Sequence, residues 1–134
     1  MASLNQHVRT LLNARALWRL ALLVSVAAIV YLATTSQSYP IPASANDKVN
    51  HLIAFLELTL LTRLAWPELK PWWFAPALLS FGLGIEMVQA NLPYRDFSLA
   101  DLAADAAGIA IGLLPWPFFK HITKQPLRNS PNSL

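Results

Sequence analysis

Residues 17–34 read LWRLALLVSVAAIVYLAT, a run whose only charge is Arg19, close to its start. A helix that crosses a bilayer needs about 20 mostly apolar residues, with about 17 as the practical minimum. This stretch meets that requirement, and three later ones approach it: Val49–Trp66, Trp72–Leu92 and Leu99–Phe119, the last with Pro115 and Pro117 near its far end. The connections SQSYPIPASANDK, PELKP and PYRDF are short and each contains Pro. Such segments suit reversal of the chain between adjacent antiparallel helices. The predicted fold is therefore all-α, a polytopic membrane protein built as an antiparallel bundle of four transmembrane helices over residues 17–119. Residues 1–16 form a cytoplasmic N-terminal segment in this reading, and residues 120–134 a cytoplasmic basic tail that is expected to be disordered.

Composition supports that frame. Hydrophobic residues make up 55% of the 134-residue chain and charged residues 13%, about half the charge of a typical soluble domain. The mean hydropathy is +0.42. The net charge of +3 comes from only ten Lys and Arg, too few and too segregated to line a groove along a nucleic acid, so nucleic acid is excluded as a partner. The absence of Cys excludes disulfides, thiolate nucleophiles and Cys-ligated zinc. The first apolar run could serve as a signal peptide, since Arg9, Arg15 and Arg19 precede it. Its core is longer than a signal sequence needs and no small-residue cleavage site follows Tyr31, so a retained helix is expected.

Orientation follows from Lys and Arg. With the N-terminus inside, the cytoplasmic face receives Arg9, Arg15, Arg19, Arg63, Lys70, Lys120, Lys124 and Arg128, and the outer face only Lys48 and Arg95. That asymmetry places both termini in the cytoplasm of a bacterial inner membrane. All five Trp fall at the predicted inner helix ends and all three Tyr, including Tyr39, at the outer ones, as interfacial aromatics do.

The remaining charges gather at one depth. Asp47, Lys48 and His51 begin the second predicted helix, Glu86 and Gln89 lie near the end of the third, Arg95 and Asp96 sit in the following turn, and Asp101 and Asp105 occupy the first turns of the fourth. Lys48 and His51, and Glu86 and Gln89, are spaced i, i+3, and Asp101 and Asp105 i, i+4, so each pair shares a helix face. The last face continues into Gly108-x-x-x-Gly112, a small-residue strip that allows close helix approach. Individually these residues have structural roles available. Ser98 to Asp101 fits a capping box, Asp47 can cap its helix, and Lys48 can snorkel. Glu86, Asp105 and Glu57 lie deeper, where a charge costs roughly 2.5–3.5 kcal/mol and normally pairs or serves a site. Arg95 is expected opposite Glu86 or Asp101, with His51 on a remaining carboxylate. No partner for Glu57 is evident in the sequence.

Asp47-Lys48-x-x-His51-x-x-Ala54-Phe55, Gly84-Ile85-Glu86-x-x-Gln89, Pro93-x-Arg95-x-x-Ser98-x-x-Asp101-Leu102 and Gly108-x-x-x-Gly112 together resemble the VanZ-like family of bacterial membrane proteins. The resemblance covers residues 47–112 and departs at Asp105, where the family pattern commonly has Asn. It implies a multi-pass cell-envelope protein from a family whose founding member is linked to resistance to teicoplanin-type glycopeptide antibiotics.

The function expected is non-enzymatic: an outer-face cluster of Asp47, Lys48, His51, Glu86, Gln89, Arg95, Ser98, Asp101 and Asp105 that binds a lipid-linked or surface ligand, with the bilayer as the other partner. Gly108 and Gly112 serve helix packing. No cofactor, catalytic residue or metal ligand is expected, since neither HExxH nor a paired-His or nucleophile motif occurs. Two alternatives stand beside this reading. One is an intramembrane enzyme using His51, Glu86 and Asp101 as acid and base or metal ligands. The other is a proton or ion relay through Glu57, Asp105 and Glu86.

Overall fold

The computed structural model describes residues 2–36 and 45–119. The expected basic tail, Tyr39 and most of the first connection lie outside the described residues. Among those described, the chain forms five α-helices and one 3-10 turn, with no strand: α1 (Ala2–Leu12), α2 (Arg15–Thr34), α3 (Ala45–Ala65), α4 (Pro71–Ala90), α5 (Leu99–Gly112) and the turn Pro117–Phe119.

Two of these helices, α2 and α4, are long and apolar enough to cross a membrane. Helix α2 contains no buried residue; Leu20, Leu23, Val24 and Val30 are all exposed. At 1.5 Å per residue its 20 residues extend about 30 Å, so it carries a continuous apolar surface that a water-soluble monomer rarely shows. Helix α3 has similar length but includes Asp47, Lys48, Glu57 and Arg63, which lower its hydropathy.

Helix α5 stops at Gly112 rather than continuing to Phe119 as the hydropathy predicts. Pro115 lacks an N–H and disfavours helical geometry in the residue before it, and only a 3-10 turn follows. Residues 2–12, part of the stretch read only as a cytoplasmic N-terminal segment, are helical. Their exposed Leu4, Val8 and Leu11 follow the i, i+4, i+7 spacing of an amphipathic helix.

Successive helices from α2 to α5 alternate in direction. Arg19 on α2 reaches the carbonyl of Ala65 at the end of α3 at 3.2 Å, and Ser25 donates to Glu57 at 3.0 Å one level further along. The broadest packing is between α3 and α5, which run parallel. Gly108 and Gly112 are buried there. A Cβ on Gly108 would collide with the backbone carbonyl of Leu52, and one on Gly112 would stand 2.6 Å from the Thr59 Cβ. The core between the helices is built on Phe55, Leu58 and Ile109, with a second cluster at Leu64 and Phe119.

The C-terminal carbonyls of α2 are fully accounted for. A helix end leaves four carbonyls without intrahelical donors. Here Thr35 N–H donates to Tyr31 O at 2.9 Å, Arg95 to Leu32 O at 3.1 Å, Gln89 to Ala33 O at 3.1 Å and the Tyr94 hydroxyl to Thr34 O at 2.5 Å. Three of these four donors come from the end of α4 and the turn after it. Helix α5 ends in a comparable way: Arg63 of α3 donates to Gly112 O at 2.8 Å and to Leu114 O at 2.7 Å.

Candidate functional site: a histidine among carboxylates

The first turns of α3 and α5 and the last turns of α4 meet at one end of the bundle. His51 of α3 stands at the centre. Its Nδ1 lies 2.8 Å from Oδ1 of Asp105, while its Nε2 faces Asp101 Oδ2 at 3.9 Å and Glu86 Oε1 at 4.0 Å. Asp47, in the first turn of α3, brings a carboxylate oxygen to within 4.8 Å of ligand atoms of His51 and Asp101. Glu86 and Asp105 are 0% exposed, Asp101 is buried, and His51 and Asp47 are half-buried, so the cluster has a closed floor and a partly open mouth.

Local sequence explains how the carboxylates come to face the imidazole. Ser98 is the N-cap of α5, accepting from the Asp101 N–H at 3.2 Å. In a complete capping box the acid at the third helical position would reach back to the N-cap N–H. Instead, Glu86 of α4 accepts from Ser98 N–H at 2.9 Å. A carboxylate from another helix does the capping, and Asp101 turns to His51. Asp105 sits one turn further along, over Gly82 of α4. A Cβ at Gly82 would lie 2.5 Å from Asp105 Oδ2, so glycine there makes room for the acid.

Two carboxylate oxygens in this cluster, Glu86 Oε1 and Asp105 Oδ2, are buried and have no hydrogen-bond partner. Buried polar atoms are normally satisfied, and leaving one orphaned costs about 1–3 kcal/mol. The site therefore holds acceptor capacity beyond what its own residues use.

The structure gathers Asp47, His51, Glu86, Ser98, Asp101 and Asp105, and separates the other candidates from them. Arg95 is not across from Glu86 or Asp101. It donates to Leu32 O, because the open C-terminus of α2 needs donors and lies within its reach. Gln89 serves the same helix end. Lys48 and Asp96 are exposed. Glu57 finds its partner in Ser25 on an exposed face of α3. The meeting of Asp47, His51 and Asp101, which joins the starts of two helices 50 residues apart, agrees with the common depth read from the sequence.

The opposite end of the bundle has different chemistry. Arg15 pairs with Glu68 at 2.5 Å. Arg19 stacks 5.0 Å from the Trp66 ring, Arg63 3.9 Å from Phe119 and Lys70 5.0 Å from Trp72. The Glu68 carboxyl is held below the usual range, first by a backbone hydrogen bond at its own residue and then by Arg15. An apolar cleft lined by Thr62, Trp66, Leu69, Phe74, Ala77 and Leu78 opens at this end, away from the carboxylates.

An arrangement that is all-α among the described residues, with two helices long and apolar enough to cross a membrane and a buried histidine–carboxylate cluster, is the class of protein the fold and site define. More particularly, the model of the VanZ/LLP1 family matches residues 3–120, nearly the whole chain, and the protein belongs to that family. No curated protein and no solved structure shows significant similarity to it. Family membership and the two apolar helices together point to a membrane location.

Proposed function

We propose that this is a multi-pass protein of the bacterial cytoplasmic membrane in which α2, α3, α4 and the α5 segment all cross or enter the bilayer, with both termini cytoplasmic. In this reading the histidine–carboxylate cluster lies at the outer face and binds a positively charged group of a lipid-linked or surface envelope ligand, without catalysing a reaction. The observation that carries the binding reading is the pair of buried carboxylate oxygens left unpartnered beside His51, whose side chain keeps 13% of its surface exposed. The surplus of acceptors, with Arg95 committed to α2, disfavours an anionic headgroup. The orientation rests on the eight-to-two Lys/Arg asymmetry. Internal capping of helix ends by side chains of other helices supports the membrane setting, since hydrocarbon offers no water to do it.

Topology is tested by cysteine labelling, made simple by the absence of native Cys. Asp96→Cys should react with an impermeant maleimide on whole cells and Glu68→Cys should not; the reverse pattern inverts the topology. Function is tested by complementation of a deletion strain challenged with envelope-active compounds, teicoplanin-type glycopeptides among them. Glu86→Gln and Asp101→Asn should lose complementation at normal protein level. If they lower only the protein level, the cluster is structural.

One observation favours a second reading. An imidazole oriented by a buried carboxylate, as His51 is by Asp105, is also the arrangement of a general base. Ser98 Oγ, a hydroxyl at this end, is occupied as the α5 N-cap. Turnover of an envelope lipid by the purified protein, lost in His51→Ala, would favour that reading over binding.

A further inference from the structure

The orientation of His51 carries more than charge balance. With Asp105 as a carboxylate, the atom facing it at 2.8 Å is Nδ1–H, which leaves Nε2 with a free lone pair. That lone pair looks toward Glu86 Oε1 and Asp101 Oδ2 at 4.0 and 3.9 Å, beyond hydrogen-bond range. Metal–ligand bonds of this type are about 2.0–2.2 Å, so two ligand atoms on one ion stand roughly 3.3–4.2 Å apart. The gap at Nε2 matches that separation. Asp47 supplies a further oxygen, within 4.8 Å of the His51 and Asp101 ligand atoms.

A second observation is independent of this spacing. Glu86 is completely buried, its Oε2 is fixed by the Ser98 N–H, and its Oε1 is thereby turned toward Nε2 with no partner. A doubly protonated imidazole would not cure this, because an Nε2–H would still lie too far from either oxygen to bond. An ion between them would. A ligating His whose other ring nitrogen donates to a carboxylate is the usual outer-sphere device of metal sites, where it fixes both tautomer and ring orientation.

We propose that His51 Nε2, Asp47, Asp101 and Glu86 bind one divalent transition-metal ion, Zn²⁺ or Mn²⁺, with Asp105 as the residue that positions the imidazole. One imidazole with several carboxylates and no thiolate is a donor set suited to those ions. The inference rests on the reading of this cluster as a binding site, and it makes the bound positive charge a metal ion. Asp47 and His51 are the members of this set that are not fully buried.

The test uses the full chain purified in detergent with a histidine-free tag, stripped with chelator and titrated with Zn²⁺ or Mn²⁺. Wild type should bind one ion per chain by elemental analysis and melt at a higher temperature as metal is added. Glu86→Gln and Asp101→Asn preserve side-chain shape and should weaken binding more than 100-fold. Asp105→Asn keeps an oxygen for Nδ1–H and should weaken it about 10-fold. Asp96→Asn, on the exposed turn, should change nothing. The proposal is overturned if wild type shows no metal-dependent melting with either ion, or if Glu86→Gln and Asp101→Asn bind as wild type does. Absence of metal binding together with lost complementation in Glu86→Gln overturns the metal site alone and leaves the ligand-binding reading. Metal bound by wild type and lost in Glu86→Gln, with complementation intact, supports the metal site and removes that reading.

Discussion

At one end of the bundle four cations are satisfied separately: Arg15 by Glu68, Arg19 by a carbonyl and Trp66, Arg63 by two carbonyls and Phe119, Lys70 by Trp72. At the other end four carboxylates converge on one imidazole, and two of their oxygens remain unpartnered. The basic end spreads its interactions over independent pairs, of which Arg19 ties α2 to α3 and Arg63 ties α3 to the end of α5. The acidic end concentrates them on His51. Distribution is what a structural clasp needs, because no single contact is decisive. Concentration with unused acceptors is how a binding site differs from a clasp, and that contrast is the physical ground for placing function at the acidic end.

The contrast can be broken most severely at its centre. His51→Ala removes the group that faces Asp105, Asp101 and Glu86 together, and breaking a buried charged set costs about 3 kcal/mol. Unfolding in detergent should show that loss, and a change under 1 kcal/mol would mean the carboxylates are satisfied some other way. Next comes Arg63→Ala at the basic end, which removes two charge-assisted bonds to the α5 terminus. A loss of about 2 kcal/mol is expected, and no rescue of it should come from adding metal. Glu86→Gln should be smaller still, within about 1 kcal/mol, because an amide oxygen can keep the Ser98 N–H. A large loss there would move Glu86 from the binding role to a structural one.

The smallest effect is predicted for Glu68→Gln, on an exposed pair. At neutral pH its melting temperature should fall only slightly below that of wild type. Because the folded carboxyl is held below its ordinary value, whatever the pair contributes is complete above that ordinary value and is lost as pH falls through the lowered one. Wild type and variant should therefore converge under acid. Divergence on acidification would show that Glu68 has a role the structure does not give it.

Much of this was legible from residue spacing. Ser98 marks the start of α5, as local chemistry dictates. The strip of Gly108 and Gly112 shares its face with Asp101 and Asp105 by helical period alone. Partner identity was not legible. Arg95 was expected on a carboxylate because opposite charges attract, yet it lies nearer the bare carbonyls of α2. The signal was present: α2 ends in Tyr31-Leu32-Ala33-Thr34 with no Gly to close it, so its carbonyls had to find donors elsewhere. Glu57 and Ser25 face each other only once the α2–α3 register is known. The helical state of residues 2–12 was missed because a short polar-apolar segment is a weak signal without a neighbour to pack on.

Helix α5 has 14 residues, about 21 Å of rise, against a hydrocarbon thickness of about 30 Å. The carbonyls of Gly112, its last residue, and of Leu114 just beyond are met by a guanidinium from α3. On the membrane reading this sets an order of biogenesis. A segment too short to partition unaided would leave the translocon only when α3 is already waiting in the lipid to receive it. A ribosome-nascent chain carrying Arg63→Ala should then hold α5 at the lateral gate longer than wild type, with α2 and α4 unaffected.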